Sequence, residues 1–203
     1  MSNRRIAVLI SGRGSNLQAL IDAIAAGRLD ATIAVVIANR ADAQGLERAR
    51  AAGIPAVTLP HRDFPSREAF EDALVAELRA RDVAIVCLAG FMRLLGPTFL
   101  AAFAGRTLNV HPSLLPSFPG VDAQRQALEH GVKVAGATVH LVTGELDGGP
   151  IVAQGAVPVH EDDTAGTLAA RILEVEHRIY PDAVAAMLDG GWTIQGRRYR
   201  KLP

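Results

Sequence analysis

The strongest constraint on the fold of this chain is the alternation of short apolar runs with segments of helical periodicity over about its first 90 residues. The runs at 5–10, 32–39 and 83–90 are almost entirely apolar, which is typical of strands buried on both faces. Strands that alternate with helices pair in parallel, because the chain crosses over the sheet between them. The pattern therefore predicts an α/β fold, with a mostly parallel twisted sheet and helices on both faces.

The first helix is expected within 15–27. Apolar side chains recur there at helical spacing, at Leu17, Leu20, Ile21 and Ile24. Ser15 followed three residues later by Gln18 predicts a capping box at the start of this helix, and Gly27 predicts its end. The other elements expected in this part of the chain are a helix at 42–53, a strand at 56–59 and a helix at 66–81.

The second half of the chain has a different pattern, in which some strands follow one another without a helix. The expected elements are a strand at 106–110, a proline-rich loop, a helix at 123–131, strands at 133–143 and 150–159, and a terminal hairpin at 191–203. Consecutive strands joined by a short turn pair antiparallel, so we expect antiparallel additions to the sheet. A long helix is expected from about Thr164, and Pro181 is expected to kink or interrupt it.

Composition indicates one domain without a nucleic-acid or membrane partner. The 203 residues are 49% hydrophobic and 21% charged, which suffices for one sizeable core, so a single domain over 1–203 is expected. The 21 basic and 21 acidic side chains balance, and any anionic ligand must therefore be recognised locally. The apolar run after Arg5 is too short for a signal sequence or a membrane span. We expect a cytoplasmic protein that is a monomer or a weak homodimer.

Metal binding and thiol chemistry are not expected. The single cysteine, Cys87, lies inside an apolar run and is predicted to be a buried hydrophobic residue. No Gly-x-Ser-x-Gly sequence occurs, so a covalent acyl-enzyme is not expected either. Structural or surface roles are expected for most of the histidines without metal-ligand spacing, which are His61, His130, His140, His160 and His177.

A glycine-rich loop at 11–16 follows the first strand and opens the first helix. Exposed amides and the helix dipole favour an anion at such a position, so Gly14, Ser15 and Asn16 are predicted to bind a phosphate. The third glycine of the dinucleotide fingerprint is replaced by Leu17, and the second strand ends in Asn39 instead of an acidic residue. These differences favour a small phosphate ester over a dinucleotide. The alternative is a tight turn that needs its glycines only for geometry.

Two polar side chains end the strand at 106–110 and its continuation. Because strand side chains alternate, Asn109 and His111 project to the same side, about 6.6 Å apart along the strand. An amide can stabilise a developing oxyanion and an imidazole can exchange protons, so the pair suits chemistry at a carbonyl group. The alternative is a histidine satisfied by a backbone carbonyl. Three prolines, Pro112, Pro116 and Pro119, restrict the loop that follows.

A histidine that works as an acid needs a partner that sets its charge and orientation. Asp147 lies in the turn between two expected strands and is followed by two glycines, Gly148 and Gly149. It is the candidate partner of His111. The alternative is an ordinary Asp-Gly turn with no further role.

Four segments, at 9–21, 88–95, 108–120 and 146–154, together resemble the folate-dependent formyltransferase family that acts on a ribonucleotide of purine biosynthesis. The resemblance runs from about residue 5 to residue 182, with the motifs in matching order. It implies a Rossmann-like fold with a phosphate-binding half at about 1–100 and a catalytic and folate-binding half at about 101–203.

The resemblance also implies the substrates and the roles of individual residues. The formyl group of 10-formyltetrahydrofolate would pass directly to the amine of phosphoribosylglycinamide, with Asn109 as oxyanion stabiliser, His111 as proton donor and acceptor, and Asp147 setting the charge of His111. The ribonucleotide would contact Gly14, Ser15, Asn16 and Glu176. The folate would contact Arg67, Met92, Arg93, Leu94, Leu95, Asn109, Thr143, Gly144, Glu145, Leu146 and Asp147.

Two related activities share the Asn-x-His pattern and the distant aspartate, namely methionyl-tRNA formylation and formyltetrahydrofolate hydrolysis. Those enzymes have additional domains and the chain is electrically neutral, so we expect the ribonucleotide enzyme. A non-catalytic nucleotide-binding module is a third possibility. Some family members have histidines where this chain has Asp122 and Gln124, which leaves the role of that segment open.

Overall fold

A computed structural model describes residues 3–202 and shows one twisted nine-stranded sheet with helices on both faces. Residues 1, 2 and 203 of the predicted domain lie outside the described residues. The strands are β1 Arg5–Ile10, β2 Thr32–Ala38, β3 Ala56–Thr58, β4 Ile85–Leu88, β5 Thr107–His111, β6 Val134–Leu141, β7 Ile151–Pro158, β8 Trp192–Gln195 and β9 Arg198–Lys201. The α-helices are α1 Ser15–Ala25, α2 Gly45–Ala51, α3 Arg67–Ala80, α4 Pro97–Ala102, α5 Ala123–Glu129 and α6 Ala165–Asp189.

The sheet order is β3-β2-β1-β4-β5-β6-β7-β9-β8. The first five strands of this order are parallel, whereas β6 is antiparallel to both β5 and β7. The prediction of a mostly parallel sheet with antiparallel additions in the C-terminal half is therefore confirmed.

Alternating side chains of the central strands supply two cores, one on each face of the sheet. On β1, Ile6, Val8 and Ile10 pack with α1, α2, α5 and α6, while Ala7 and Leu9 pack with α3 and α4. Burial on both faces explains why β1 and β4 are apolar at almost every position.

Two details of the helices differ from the prediction. Helix α1 begins after Gly14, whose backbone is left-handed, and no side chain caps it, so the capping box predicted from Ser15 and Gln18 is wrong. Gln18 instead donates to Asp22 one turn later, which satisfies its amide on the exposed surface of the helix. Helix α6 continues through Pro181 without interruption. Buried residues lie both before and after Pro181, and their packing holds the helix together on both sides of the proline.

The topology opens a crevice beside β1. The chain leaves β1 toward β2 and β3, and returns through α3 to β4 on the other side of β1. The loops that follow β1 and β4 therefore diverge, and ligands bind at such points in open α/β sheets. The carboxyl end of β5 lies at the same edge, next to β4.

Helix α6 is tied to this edge through Tyr180, which is fully buried. Its hydroxyl group lies 2.9 Å from the carbonyl oxygen of Leu88 and 3.3 Å from that of Leu108, the last residue of β4 and the residue before Asn109. Burial raises the pKa of Tyr180 well above its ordinary value, so the phenol stays protonated and donates.

We expect Tyr180→Phe to lower the free energy of unfolding by about 1–2 kcal/mol, because it removes a buried donor and leaves its acceptor less satisfied. Urea denaturation measures this difference. Tyr199→Phe, at the other tyrosine of the chain, is the matched control and should change stability little, because Tyr199 lies in the terminal hairpin. Equal stabilities for all three proteins would contradict the assignment.

Candidate active site

The first of two neighbouring cavities lies in the crevice beside β1 and has a volume of about 850 Å³. Its walls come from the loops after β1, β2, β3 and β4, including the predicted phosphate residues Gly14, Ser15 and Asn16. The amides of the first turn of α1 have no acceptor within the helix, so they are available to an anion.

Glycine is required in this loop for packing as well as for its backbone angle. Gly14 has a φ of +71°, and a Cβ atom on it would lie 2.7 Å from the Cα atom of Gly45 at the start of α2. A larger residue would push the two loops apart. The geometric alternative therefore explains this glycine, and phosphate binding by the loop stays a prediction.

Asn16 connects the loop to α6. Its side-chain amide donates to Glu176 at 2.7 Å, and its Oδ1 atom is buried with no hydrogen-bond partner among residues 3–202. The structure places Glu176 behind Asn16, outside the set of residues that line the cavity. Burial raises the pKa of Glu176, and the hydrogen bond from Asn16 opposes that rise only in part.

We expect Glu176→Gln to stabilise the protein relative to the wild type, increasingly as the pH rises above about 4.3, the ordinary value for a glutamate. A raised folded-state pKa gives a contribution to stability that is present at lower pH and is lost as the pH rises through that pKa. Glutamine has no such loss and still accepts from Asn16. Urea denaturation at pH 4.5 and pH 7.5 measures the effect, with Glu174→Gln on the exposed face of α6 as control. A constant difference between the two pH values would contradict this account.

The second cavity, of about 260 Å³, contains every residue of the predicted folate site except Met92. It is lined by Arg67, Arg93, Leu94, Leu95, Asn109, Thr143, Gly144, Glu145, Leu146 and Asp147, together with Leu88, Phe91, His140 and Val142. Met92 is 73% exposed and lines the first cavity instead. Its neighbour Arg93 lines both cavities, and the contact of Met92 with the folate stays a prediction.

Asn109 and Asp147 line the second cavity, and His111 contacts Asp147 without lining either cavity. His111 and Asn109 lie on β5, and Asp147 occupies the turn between β6 and β7 with a left-handed φ of +50°. The Oδ2 atom of Asp147 is 3.5 Å from Nδ1 of His111 and accepts a hydrogen bond of 2.8 Å from the amide of Gly120. The structure therefore brings together the three predicted catalytic residues.

Both ring nitrogens of His111 face acceptor oxygens. Its Nε2 atom is 2.9 Å from the carbonyl oxygen of Phe118, in the proline-rich loop, and its Nδ1 atom faces the Asp147 carboxylate. The side chain is 6% exposed, so water supplies little alternative solvation.

The proline-rich loop is fixed by buried hydrogen bonds to the sheet. The hydroxyl group of Thr138 donates to the carbonyl of Ser113 and accepts from the amide of Leu115, at 2.7 and 3.0 Å. Gln154 on β7 donates to the carbonyl of Leu115 at 2.9 Å. These contacts hold the loop that presents the Phe118 carbonyl to His111.

His140 belongs to this site, although the sequence analysis did not single it out. It lies opposite Asn109 in the β5–β6 pairing. When its Nδ1–H donates to the carbonyl of Leu141 at 3.0 Å, its Nε2 atom accepts from the side-chain amide of Asn109 at 3.1 Å. The same Nε2 atom is 3.6 Å from Asp147. His140 could have been predicted from its pairing with Asn109 across the sheet. That pairing is known only once the register of β5 with β6 is known.

Asp147 is ionised at neutral pH. Burial raises its pKa, but the adjacent imidazole of His140, the hydrogen bond from the amide of Gly120 and the charge of His111 outweigh burial, and the pKa is lowered overall. A carboxylate 9% exposed between two imidazoles therefore supplies the negative charge of the site. Its alternative interpretation, an ordinary turn residue, does not account for these contacts.

Cys87 and the segment with Asp122 and Gln124, where some family members have histidines, do not belong to this cluster. Burial raises the pKa of Cys87 to about 12, so its thiol stays protonated inside β4. Asp122 precedes α5 and pairs with the exposed Arg125, and neither Asp122 nor Gln124 lines either of the two cavities.

Residues 3–202 contain no group of three or more His, Cys, Asp or Glu side chains that could hold a metal ion. Within the same residues, no helix combines the length and the apolar character needed to cross a membrane.

The fold is that of a class of formyl-transferring enzymes. Residues 4–184 match the formyl transferase family, and the chain belongs to that family. The phosphoribosylglycinamide formyltransferase of Escherichia coli strain K12 is 50% identical over 185 residues, which cover 91% of this chain and 87% of that protein.

Solved structures show the same similarity. Glycinamide ribonucleotide transformylase 1 from Symbiobacterium toebii superposes with a TM-score of 0.97 at 57% identity, over 99% of this chain and 95% of that one. A formyltetrahydrofolate deformylase from Pseudomonas syringae pv. tomato superposes with a TM-score of 0.89 at 28% identity, over 99% of this chain and 66% of that one.

Proposed function

We propose that this chain transfers a formyl group from 10-formyltetrahydrofolate to the amine of phosphoribosylglycinamide, in purine biosynthesis. The observation that carries the proposal is the cluster of Asn109, His111 and Asp147 at the second cavity, which shares Arg93 with the first cavity. Relatives named for this activity support it.

The ribonucleotide would occupy the first cavity. Its phosphate would accept hydrogen bonds at Gly14, Ser15 and Asn16, where the helix dipole of α1 adds to the attraction. Glu176 would then act through Asn16, which it holds in place, or through direct contact after a small shift of that amide.

The folate would occupy the second cavity. Residues 93–95 and 143–147 line this cavity, together with Arg67. The 10-formyl group would then project toward Asn109, which lines the same cavity. The substrate amine would approach this group from the first cavity.

The chemistry follows from the order of the side chains. The amine attacks the formyl carbon, forming a carbon–nitrogen bond, and the formyl oxygen becomes an oxyanion that accepts a hydrogen bond from Asn109. One hydrogen of its amide already points to His140, which leaves the second hydrogen for this oxygen. Collapse breaks the bond between the carbon and N10 of the folate. The amine loses one proton and N10 gains one, with His111 as the donor and acceptor, directly or through a water.

Asp147 would set the charge and orientation of His111 in these steps. A lowered pKa keeps the Asp147 carboxylate ionised, 3.5 Å from the Nδ1 atom of His111. The protein itself supplies all of these groups, and 10-formyltetrahydrofolate is a substrate with no metal in the proposed reaction. A monomer or weak homodimer and a cytoplasmic location stay predictions.

Formyl-labelled 10-formyltetrahydrofolate tests the proposal when it is mixed with the purified protein and one acceptor at a time. We expect the label in formylated phosphoribosylglycinamide, with little label in formate when that acceptor is absent. The similarity to a deformylase makes water the main competing acceptor. Release of the label as formate at the same rate with and without the ribonucleotide would contradict the proposed function and indicate hydrolysis. Transfer of the label to methionyl-tRNA would contradict it and indicate tRNA formylation. Binding of phosphate esters without any turnover would indicate a non-catalytic module.

A further inference from the structure

Glu71 is a buried carboxylate that the proposed reaction does not use. It lies on α3 and is 1% exposed, although most glutamates of soluble proteins lie at the surface. Burying an ionised carboxylate costs free energy unless hydrogen bonds and a charged partner compensate for the lost water. Its partners therefore indicate why the residue is there.

Three donors converge on this carboxylate. Its Oε1 atom accepts from Nε of Arg67 at 2.8 Å and from the amide of Gly96 at 2.6 Å. Its Oε2 atom accepts from the amide of Phe99 at 3.3 Å. Two of these donors belong to the start of α4, and the third is the side chain of a predicted folate residue.

The backbone contacts cap α4 from another helix. Gly96 precedes α4 and has no side chain to cap it, and Pro97 has no amide hydrogen. Glu71 accepts from the amide of Gly96, before that proline, and from the amide of Phe99, two residues after it. Because Arg93–Leu95 run directly into Gly96 and line the second cavity, the carboxylate fixes the end of that cavity wall.

The ion pair fixes the other side of the cavity. Arg67 is about half exposed and would be mobile without its partner. A Cβ atom on Gly96 would lie 2.6 Å from a terminal nitrogen of the Arg67 guanidinium, so the guanidinium packs directly on the glycine backbone. Glu71 itself does not line either cavity.

We infer that Glu71 is a positioning residue for the folate substrate, which holds Arg67 and the segment Arg93–Leu95 in one arrangement around the second cavity. The inference rests on the proposed function, and it assigns to Glu71 an effect on one substrate and not on the other. The ribonucleotide loop at Gly14–Asn16 shares no contact with Glu71 and should be unaffected.

Glu71→Gln tests the inference with little change in side-chain volume. Either orientation of the new amide turns an N–H group toward one of the three N–H donors, so at least one contact is lost. We expect 10-formyltetrahydrofolate, titrated calorimetrically without ribonucleotide, to bind at least about tenfold more weakly, since a charge-assisted contact is lost. The KM for the folate should rise by a similar factor, while the KM for the ribonucleotide should change less than about twofold.

Two further variants separate positioning from a general loss of stability. Gly96→Ala retains both charged side chains, but its Cβ atom would lie 2.6 Å from the Arg67 guanidinium and 2.8 Å from Oε1 of Glu71, so it displaces the pair and should also weaken folate binding selectively. Glu77→Gln breaks the pair between Glu77 and Arg81 at the other end of α3, and neither of these residues lines a cavity described above. This variant should bind both substrates like the wild type. Thermal unfolding identifies any variant that is not folded at the assay temperature, and Gly96→Ala then carries the test.

The outcomes distinguish this inference from the proposed function. Folate binding by the wild type with equal binding by folded Glu71→Gln and Gly96→Ala would overturn the inference alone. Equal increases in the KM for both substrates would also overturn it, because a merely structural role has no preference. A wild type that does not bind 10-formyltetrahydrofolate would overturn the proposed function, and the inference with it.

Discussion

Replacing Asp147 with asparagine is expected to lower kcat about 100-fold or more, which corresponds to roughly 3 kcal/mol of activation free energy. Asparagine preserves the shape of the side chain and removes its charge. His111 would then lose the carboxylate 3.5 Å from its Nδ1 atom, which orients the imidazole and sets its charge in the proposed mechanism. Steady-state kinetics with both substrates measure the change.

The pH dependence of this variant provides a second observation. A lowered folded-state pKa means that Asp147 contributes stability above the ordinary aspartate value of about 3.9, and that this contribution is lost as the pH falls through the folded-state pKa. Asp147→Asn should therefore be less stable than the wild type at pH 7, and the difference should shrink as the pH falls below about 3.9. Acid titrations of urea unfolding test this.

Asp82→Asn is the matched control. Asp82 has a left-handed backbone like that of Asp147, at φ +52°, but precedes β4 at the other end of the sheet and lines neither cavity. We expect normal turnover from it. Turnover by Asp147→Asn within about twofold of the wild type would remove the carboxylate from the mechanism.

Asn109→Ala is the second substitution with a large expected effect, a decrease of about 10²–10³ in kcat, because loss of one oxyanion donor has that cost in other acyl-transfer enzymes. The reason is geometric. His140 accepts one hydrogen of the Asn109 amide at 3.1 Å and so orients the other hydrogen. Alanine removes both hydrogens without disturbing the inward side chains Leu108 and Val110.

The control for this substitution is Asn3→Ala, at an exposed asparagine before β1. A folded Asn109→Ala protein with unchanged kcat would contradict the role of the amide. An increase in the KM for the folate with unchanged kcat would assign Asn109 to binding instead.

The sequence predicted the sheet well because local and global signals agree in it. The runs that form β1 and β4 are apolar at successive positions, so both faces of each strand are apolar. This pattern is typical of strands covered by helices on both faces of the sheet. Helix α4 was missed, since its six residues are too few for a periodic pattern and its cap comes from Glu71. The Ser15 capping box failed because the left-handed Gly14 starts α1 instead.

The site was predictable where chemistry is local and less so where it depends on pairing across the fold. Asn109 and His111 share one strand, so their common face follows from alternation alone. His140 enters the site only through the register of β6 with β5. Glu71 resembles a surface residue in sequence, as it forms an i,i+4 pair with Arg67, and only the packing of α4 buries it.

A crystal structure with phosphoribosylglycinamide and an unreactive folate analogue bound tests the central claim most directly. We predict the phosphate at the amides of Gly14–Asn16, the folate between Arg93–Leu95 and the turn at 143–147, and the formyl position within hydrogen-bond distance of the Asn109 amide, facing the substrate amine. A folate in the first cavity, or a formyl position remote from Asn109 and His111, would contradict direct transfer at this site.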